Sequence, residues 1–246
     1  MHLVELKERE KYMKLESVNV TKKFVGKVAI EDVSMTLEPG HIYAILGPNG
    51  SGKTTWMKTV AGLIRPTSGE VRFNDVPVNV ESRKTIAYMS TEPYFYDWMT
   101  VGDVGKYYQD FFEDFSMESY DSLLMGMQLE KKLKVKTLSS GMMAKLKIAV
   151  TMARKASVYM LDEPLNGIDL LARDEVMKMI LTYAAPDNIM IISSHLVEEL
   201  ETLVDKAIFI KEAHFAGLYD VEQLRVTESI SLADKYRQVY GGVREA

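Results

Sequence analysis

Gly47, Pro48, Asn49, Gly50, Ser51, Gly52, Lys53 and Thr54 fit the spacing G-x-x-x-x-G-K-[ST] at every fixed position, directly after the apolar run Ile42-Tyr43-Ala44-Ile45-Leu46. That run reads as a buried strand, so the chain must turn from strand to helix through a glycine-rich loop. Glycines let consecutive backbone N–H groups wrap a phosphate without Cβ collisions, and the following helix N-terminus adds about half a positive charge. Lys53 supplies a full cation for β- and γ-phosphates, and Thr54 a hydroxyl for Mg²⁺. The expectation is a site for a nucleoside triphosphate and Mg²⁺.

Composition narrows the alternatives. With 246 residues, 47% of them hydrophobic and 26% charged, the chain can bury one large core, and a single compound domain is expected. The formal net charge of −5, with Lys and Arg scattered, gives no electrostatic footprint for nucleic acid, so no nucleic-acid partner is expected. The absence of cysteine removes disulfides, Cys-based zinc sites and thiol catalysis together. Residues 1–14 alternate charges, unlike a secretory signal, and read as a charged extension. No run of about 18 apolar residues occurs, so a membrane role is expected to come through a partner.

From Leu15 to Leu37 the text reads as short strands, including the alternation Val33-Ser34-Met35-Thr36-Leu37, and Val71-Arg72-Phe73 and Ile86-Ala87-Tyr88-Met89 are further candidates. Ten aromatic residues fall between Tyr94 and Tyr120 among helix formers, which indicates a helical insertion over about 92–154. Two unalternating runs follow, Val158-Tyr159-Met160-Leu161 and Ile189-Met190-Ile191-Ile192, as expected of central parallel strands covered on both faces. Leu196, Leu200, Leu203 and Val204 make a helical stripe. Residues 226–246 read as a short tail.

Asp162 and Glu163 follow the first of these runs, which places them at the carboxyl edge of the sheet, where open α/β sheets bind ligands. Asp162 suits the Mg²⁺ hydration shell, and Glu163 the orientation or deprotonation of an attacking water. Taken alone, Asp-Glu-Pro also reads as an N-cap and turn. His195 ends the next run and can donate to a γ-phosphate oxygen. Leu138-Ser139-Ser140-Gly141 precedes a helix, with Ser139 or Ser140 at its N-cap, which is either a simple cap or a second anion site.

In this order the pieces closely resemble the ATP-binding subunit of ATP-binding cassette (ABC) transporters over about residues 15–225. The resemblance implies an α/β P-loop NTPase (RecA-like) core with an N-terminal antiparallel β subdomain and an inserted α-helical subdomain. It further implies that Lys53, Thr54 and Thr55 serve phosphates and Mg²⁺, that Asp162 is the Walker B aspartate, Glu163 the catalytic carboxylate, His195 the switch histidine and Asp169 the D-loop aspartate. Phe24 stands where the family places an aromatic residue against adenine; a core or exposed Phe is the plain alternative. Two such subunits close head to tail in the family, each ATP held by one phosphate loop and the other chain's signature segment, normally Leu-Ser-Gly-Gly-Gln.

Two departures stand out. The signature here is Leu138-Ser139-Ser140-Gly141-Met142, where Met142 removes the amide and Ser140 adds a Cβ, so a second cassette, the same chain or a homologue, is expected with its symmetry open. At the Q-loop, Thr91 aligns with the family's Gln, too short to copy its reach to Mg²⁺ and water, and slow hydrolysis by the isolated subunit is expected. The following Tyr94-Phe95-Tyr96-Asp97-Trp98 is either the groove that receives a permease helix or a local core. The resemblance is to bacterial multidrug and antimicrobial-peptide exporter ATPases, peripheral on the cytoplasmic face of the membrane through integral permease subunits. A soluble ABC-type ATPase acting as an assembly scaffold in iron–sulfur cluster biogenesis is the alternative.

Overall fold

The computed structural model describes residues 13–92 and 94–241. Two sheets organise the fold. In the first, β1 (Leu15–Phe24), β2 (Lys27–Leu37), β4 (Ser68–Phe73) and β5 (Val76–Pro77) run antiparallel in the order β2-β1-β4-β5. In the second, the order is β10-β9-β3-β8-β7-β6, built from β3 (His41–Leu46), β6 (Ile86–Met89), β7 (Val158–Asp162), β8 (Ile189–Ser194), β9 (Lys206–Lys211) and β10 (His214–Asp220). All neighbours there are parallel except β9 and β10.

The sequence pattern accounts for this split. In β7 and β8 every residue is buried, because helices or the other sheet cover both faces, whereas β2 and the edge strand β10 alternate between covered and wet positions. The helix α1 (Lys53–Val60) lies between the sheets, and its Trp56, 1% exposed, donates its indole N–H to Ser17 Oγ of β1 at 3.0 Å. Trp56 thus fixes the start of α1 against the antiparallel sheet while filling the core shared with Tyr43, Ile45 and Met160.

After β5 the short α2 (Val80–Lys84) leads into β6, and the insertion then supplies α3 (Val101–Phe111), α4 (Met117–Gly126) and α5 (Ser140–Met152). Each of the three starts at a hydroxyl cap: Thr100, Ser116 and Ser139 accept from the backbone N–H three residues on. The helix α6 (Leu170–Thr182) precedes β8. Past His195 the apolar stripe forms only one turn, α7 (Val197–Leu200), because the chain must reach β9 at Lys206, yet Leu200 and Val204 are buried as the stripe requires.

Both terminal segments hold more structure than their composition suggests. Met13 is buried and the Lys14 N–H donates to Asn74 Oδ1 at 3.0 Å, so these residues belong to the packed body; residues 1–12 lie outside the described ones. Within the expected tail, α8 (Leu232–Tyr240) packs on the parallel sheet, and the buried Tyr240 hydroxyl reaches the carbonyls of Leu46 and Ile210 at 3.1 and 3.0 Å. Residues 242–246 lie outside the described residues.

Candidate functional site

The loop after β3 is shaped by two glycines that admit no side chain. At Gly52, with φ of 116°, a Cβ would stand 2.4 Å from the Ala29 carbonyl oxygen, and at Gly47 one would stand 2.5 Å from that of Ile210. Gly52 is also the N-cap of α1 and offers no capping side chain, which leaves the first N–H groups of the helix for an anion. Ser51 Oγ is buried without a hydrogen-bond partner among the described residues. Lys53, 6% exposed, folds back to donate to the carbonyls of Gly47 at 2.6 Å and Pro48 at 3.2 Å. Burial pushes its ammonium below the ordinary lysine pKa, and the charges of Glu163 and then Asp162 oppose that shift.

Around this loop lies a cleft of about 260 Å³ whose walls include Asn49, Gly50, Gly52, Lys53, Thr54 and Thr55, closed by Lys27, Thr91 and Glu163. The parallel sheet thus brings residues from three separate stretches of chain to one carboxyl edge. Pro48 and Asn49 are exposed at its rim.

Asp162 is completely buried at the end of β7, with Oδ1 accepting from Ser193 Oγ at 2.6 Å and Oδ2 from the Tyr88 hydroxyl at 3.2 Å. Burial, together with the charge of Asp162, raises the Tyr88 pKa, so the phenol stays a neutral donor. Glu163 takes the left-handed φ of 50°, uncommon for a residue with a side chain. That turn is held by its own N–H, which donates to Ser193 Oγ at 2.9 Å and Ser193 O at 3.2 Å. Consequently Asp162 points inward and the Glu163 carboxylate points into the cleft, where its Oε2 lies 2.8 Å from His195 Nδ1. Asp-Glu-Pro here is not an N-cap; α6 is capped by Asp169, whose Oδ1 accepts from the Ala172 N–H at 3.1 Å.

Ser140 lines a neighbouring cleft of about 300 Å³ that also takes in Thr91, Lys147, Glu163, Asn166 and Gly167. Thr91 and Glu163 therefore stand between both clefts. Ser139 is exposed and caps α5 through the Met142 N–H at 3.3 Å, and Gly141 packs so closely that a Cβ would come within 2.9 Å of the Gly167 carbonyl. Neither Ser139, Gly141 nor Asp169 lines the cleft around Lys53. Phe24 is 50% exposed at the end of β1, under the Lys22 ammonium 5.0 Å from its ring centroid, and is also outside that lining, so it is not a core residue.

The aromatic segment splits between its two readings. Phe95 packs on the main core with Tyr108 and Phe112, while Trp98 and Tyr96, 67% and 58% exposed, stack on each other with centroids 5.9 Å apart. Tyr94 lines a groove of about 560 Å³ with Tyr88, Tyr108 and Phe112.

Four contributors have no signature of their own in the sequence. Tyr88, Ser193, Lys147 and Tyr240 occupy ordinary strand and helix positions, and only the register of β6 against β7 and of β7 against β8 brings the first two onto Asp162. The pairing Asp162↔Ser193 follows once β7 and β8 are taken as adjacent parallel strands, which is the one signal that would have found Ser193.

A family model described as ABC transporter matches residues 30–166. The chain is 31% identical over 196 residues to the lantibiotic transport ATP-binding protein SrtF of Streptococcus pyogenes, covering 79% of this chain and 85% of SrtF. It is 32% identical over 202 residues to the Nod factor export ATP-binding protein I of Burkholderia lata, covering 79% of this chain and 66% of that protein. Among solved structures, a dimeric post-hydrolysis state of the ATP-binding cassette MJ0796 bound to ADP and Pi superposes with a TM-score of 0.74 at 20% identity, covering 84% of this chain and 98% of that one, a likeness of fold. Since the matched segment runs from within β2 to the turn after Glu163, more than half of the chain, the chain belongs to the ATP-binding proteins of the ABC transporter family.

Proposed function

We propose that this chain is the ATP-hydrolysing motor subunit of an ABC exporter, working as a head-to-tail pair of cassettes on membrane permease subunits. The observation that carries the reading is the joint placement of Lys53 and Glu163 in one cleft, with the carboxylate fixed by the backbone turn at Ser193 and by His195. The phosphate-loop N–H groups and Lys53 bind the β- and γ-phosphates, and Thr55 lies beside them. Glu163 orients a water and takes its proton, while His195 holds the carboxylate and meets the γ-phosphate. Phe24 offers its exposed ring to adenine.

The Thr54 hydroxyl, a hard oxygen in the cleft, would be a direct donor to a cation, and the buried Asp162 carboxylate would act through the cation's hydration shell; Thr91 also lines the cleft. No cluster of three or more His, Cys, Asp or Glu exists among the described residues, so phosphate and water oxygens would complete the shell, which suits Mg²⁺. When bound, Mg²⁺ neutralises charge on the phosphate oxygens.

Ser139, Ser140, Gly141 and Asp169 are assigned to the facing cassette's nucleotide. Their exposure or position outside the Lys53 cleft, the dimer formed by MJ0796 and the family likeness support this. Export is supported by the relative named for Nod factor export, and permease docking by the exposed pair Tyr96 and Trp98. No helix among the described residues is long and apolar enough to cross a membrane, which is consistent with anchoring through a permease on the cytoplasmic face. The test is purification from detergent-solubilised membranes of the source cells. An integral membrane subunit that co-purifies and accelerates ATP hydrolysis is expected. A set of soluble partners alone would overturn the reading in favour of the scaffold ATPase.

A further inference from the structure

The signature helix α5 carries a charge in an unusual place. Lys147 is 6% exposed among Leu146, Ile148, Ala149 and Val150, all completely buried, although a lysine ammonium is costly to remove from water unless it is paired. Its Nζ is paired with main-chain oxygens of one short segment: it donates to the Ser90 carbonyl at 3.1 Å and to the Thr91 carbonyl. Burial lowers its pKa, while the negative charges of Glu92 and Asp162 favour the proton, and the Tyr94 ring lies 5.8 Å away. No other part of the helical insertion touches the cleft through a buried charge among the described residues.

Ser90 and Thr91 are where β6 leaves the parallel sheet and the helical insertion begins. Lys147 is fixed in the middle of α5, whose N-terminus is Ser139, and it lines the cleft that also holds Thr91, Ser140 and Glu163. A helix with the Ser139 cap at one end and a tie to the Ser90–Thr91 carbonyls at its middle links the two positions through one rigid element.

We propose that Lys147 is a positioning residue: its ammonium ties α5 to the Ser90–Thr91 carbonyls, so that Thr91 beside Glu163 and the Ser139–Gly141 segment are set as one unit. The inference deepens the proposed function and rests on it. The bond made is main-chain, so it does not depend on the side chain at position 91. It supplies from α5 a polar link to the Ser90–Thr91 main chain.

The experiment compares ATP binding, kcat and KM in the full chain for the wild type, Lys147→Met, Lys147→Gln and Lys147→Arg, with melting temperatures measured alongside. Lys147→Met keeps the unbranched apolar stem without donors, Lys147→Gln keeps donors without charge on a side chain one atom shorter, and Lys147→Arg keeps donors and charge. A fall in kcat of at least tenfold for Lys147→Met, with ATP affinity within twofold of wild type and with most of kcat recovered in Lys147→Arg, is expected. Lys147→Gln should fall between them, and it carries the comparison if Lys147→Met does not fold. Wild-type kcat in a folded Lys147→Met or Lys147→Gln, or a kcat that falls only in proportion to the unfolded fraction, would overturn the positioning role. A wild-type chain that does not bind ATP would instead overturn the proposed function itself.

Discussion

At the scale of single residues, Ser193 does the most with the least chemistry. One hydroxyl donates to Asp162 Oδ1 and accepts from the Glu163 N–H, so it aims the two carboxylates in opposite directions from adjacent positions. Ser193→Ala removes both contacts and leaves a buried carboxylate oxygen short of a donor. A loss of about 1–3 kcal/mol in urea unfolding is expected, because a buried unsatisfied group carries its desolvation cost. A second residue-scale consequence concerns protons. Burial lowers the Lys53 pKa in the folded chain, so between that pKa and the ordinary 10.5 the unfolded chain binds more protons than the folded one. Stability without nucleotide should therefore rise with pH through that window. Phosphate charges favour the protonated lysine, so ATP binding in the same window should take up a proton, and ATP affinity should fall as pH rises further. Calorimetry in buffers of different ionisation enthalpy reads the uptake, and proton release on binding would contradict this account of Lys53.

The elements show why some of this was legible in the sequence and some was not. Strands β3, β7 and β8 announce themselves as short apolar runs because both of their faces are covered, and Gly47 and Gly52 of the loop stand where a Cβ would collide with backbone. Asp162, Glu163 and His195 are placed by the same runs, each at or just past the carboxyl end of one, whereas Lys53 and Thr54 are placed by the glycine spacing of the loop that follows β3. Tyr88 and Lys147 are not, since their partners lie 74 and 56–57 residues away and only the folded register selects them. Least legible is α8, read as a tail. Its role rests on Tyr240, which holds the carbonyl of Leu46, the residue before the phosphate loop, and that of Ile210, against which Gly47 packs. Tyr240→Phe should cost about 1–3 kcal/mol and should also weaken ATP binding, which a tail without function would not do. Thermal melts with and without ATP separate the two effects.

For the whole molecule, the two clefts that share Thr91 and Glu163 matter more than either alone. One holds the phosphate loop and the other opens beside Ser140; in the proposed assembly a nucleotide seated on Lys53 is completed by the facing cassette's Ser139–Gly141 segment. The chain has no cysteine, which makes a clean test of pairing available. Copies carrying Ser139→Cys mixed with copies carrying Asn49→Cys should form a disulfide-linked dimer when ATP is present. Absence of the mixed dimer would argue against two copies of this chain facing each other.

In the proposed mechanism the chemistry turns on Glu163, held in a left-handed conformation, with its carboxylate in the cleft of Lys53 and against His195. The decisive measurement is single-turnover ATP hydrolysis by Glu163→Gln and wild type, with ATP affinity measured in the same samples. A positioned general base is worth about 10²–10⁴ in rate, so hydrolysis should fall by at least about a hundredfold while affinity stays unchanged; equal turnover in the two proteins would contradict the account.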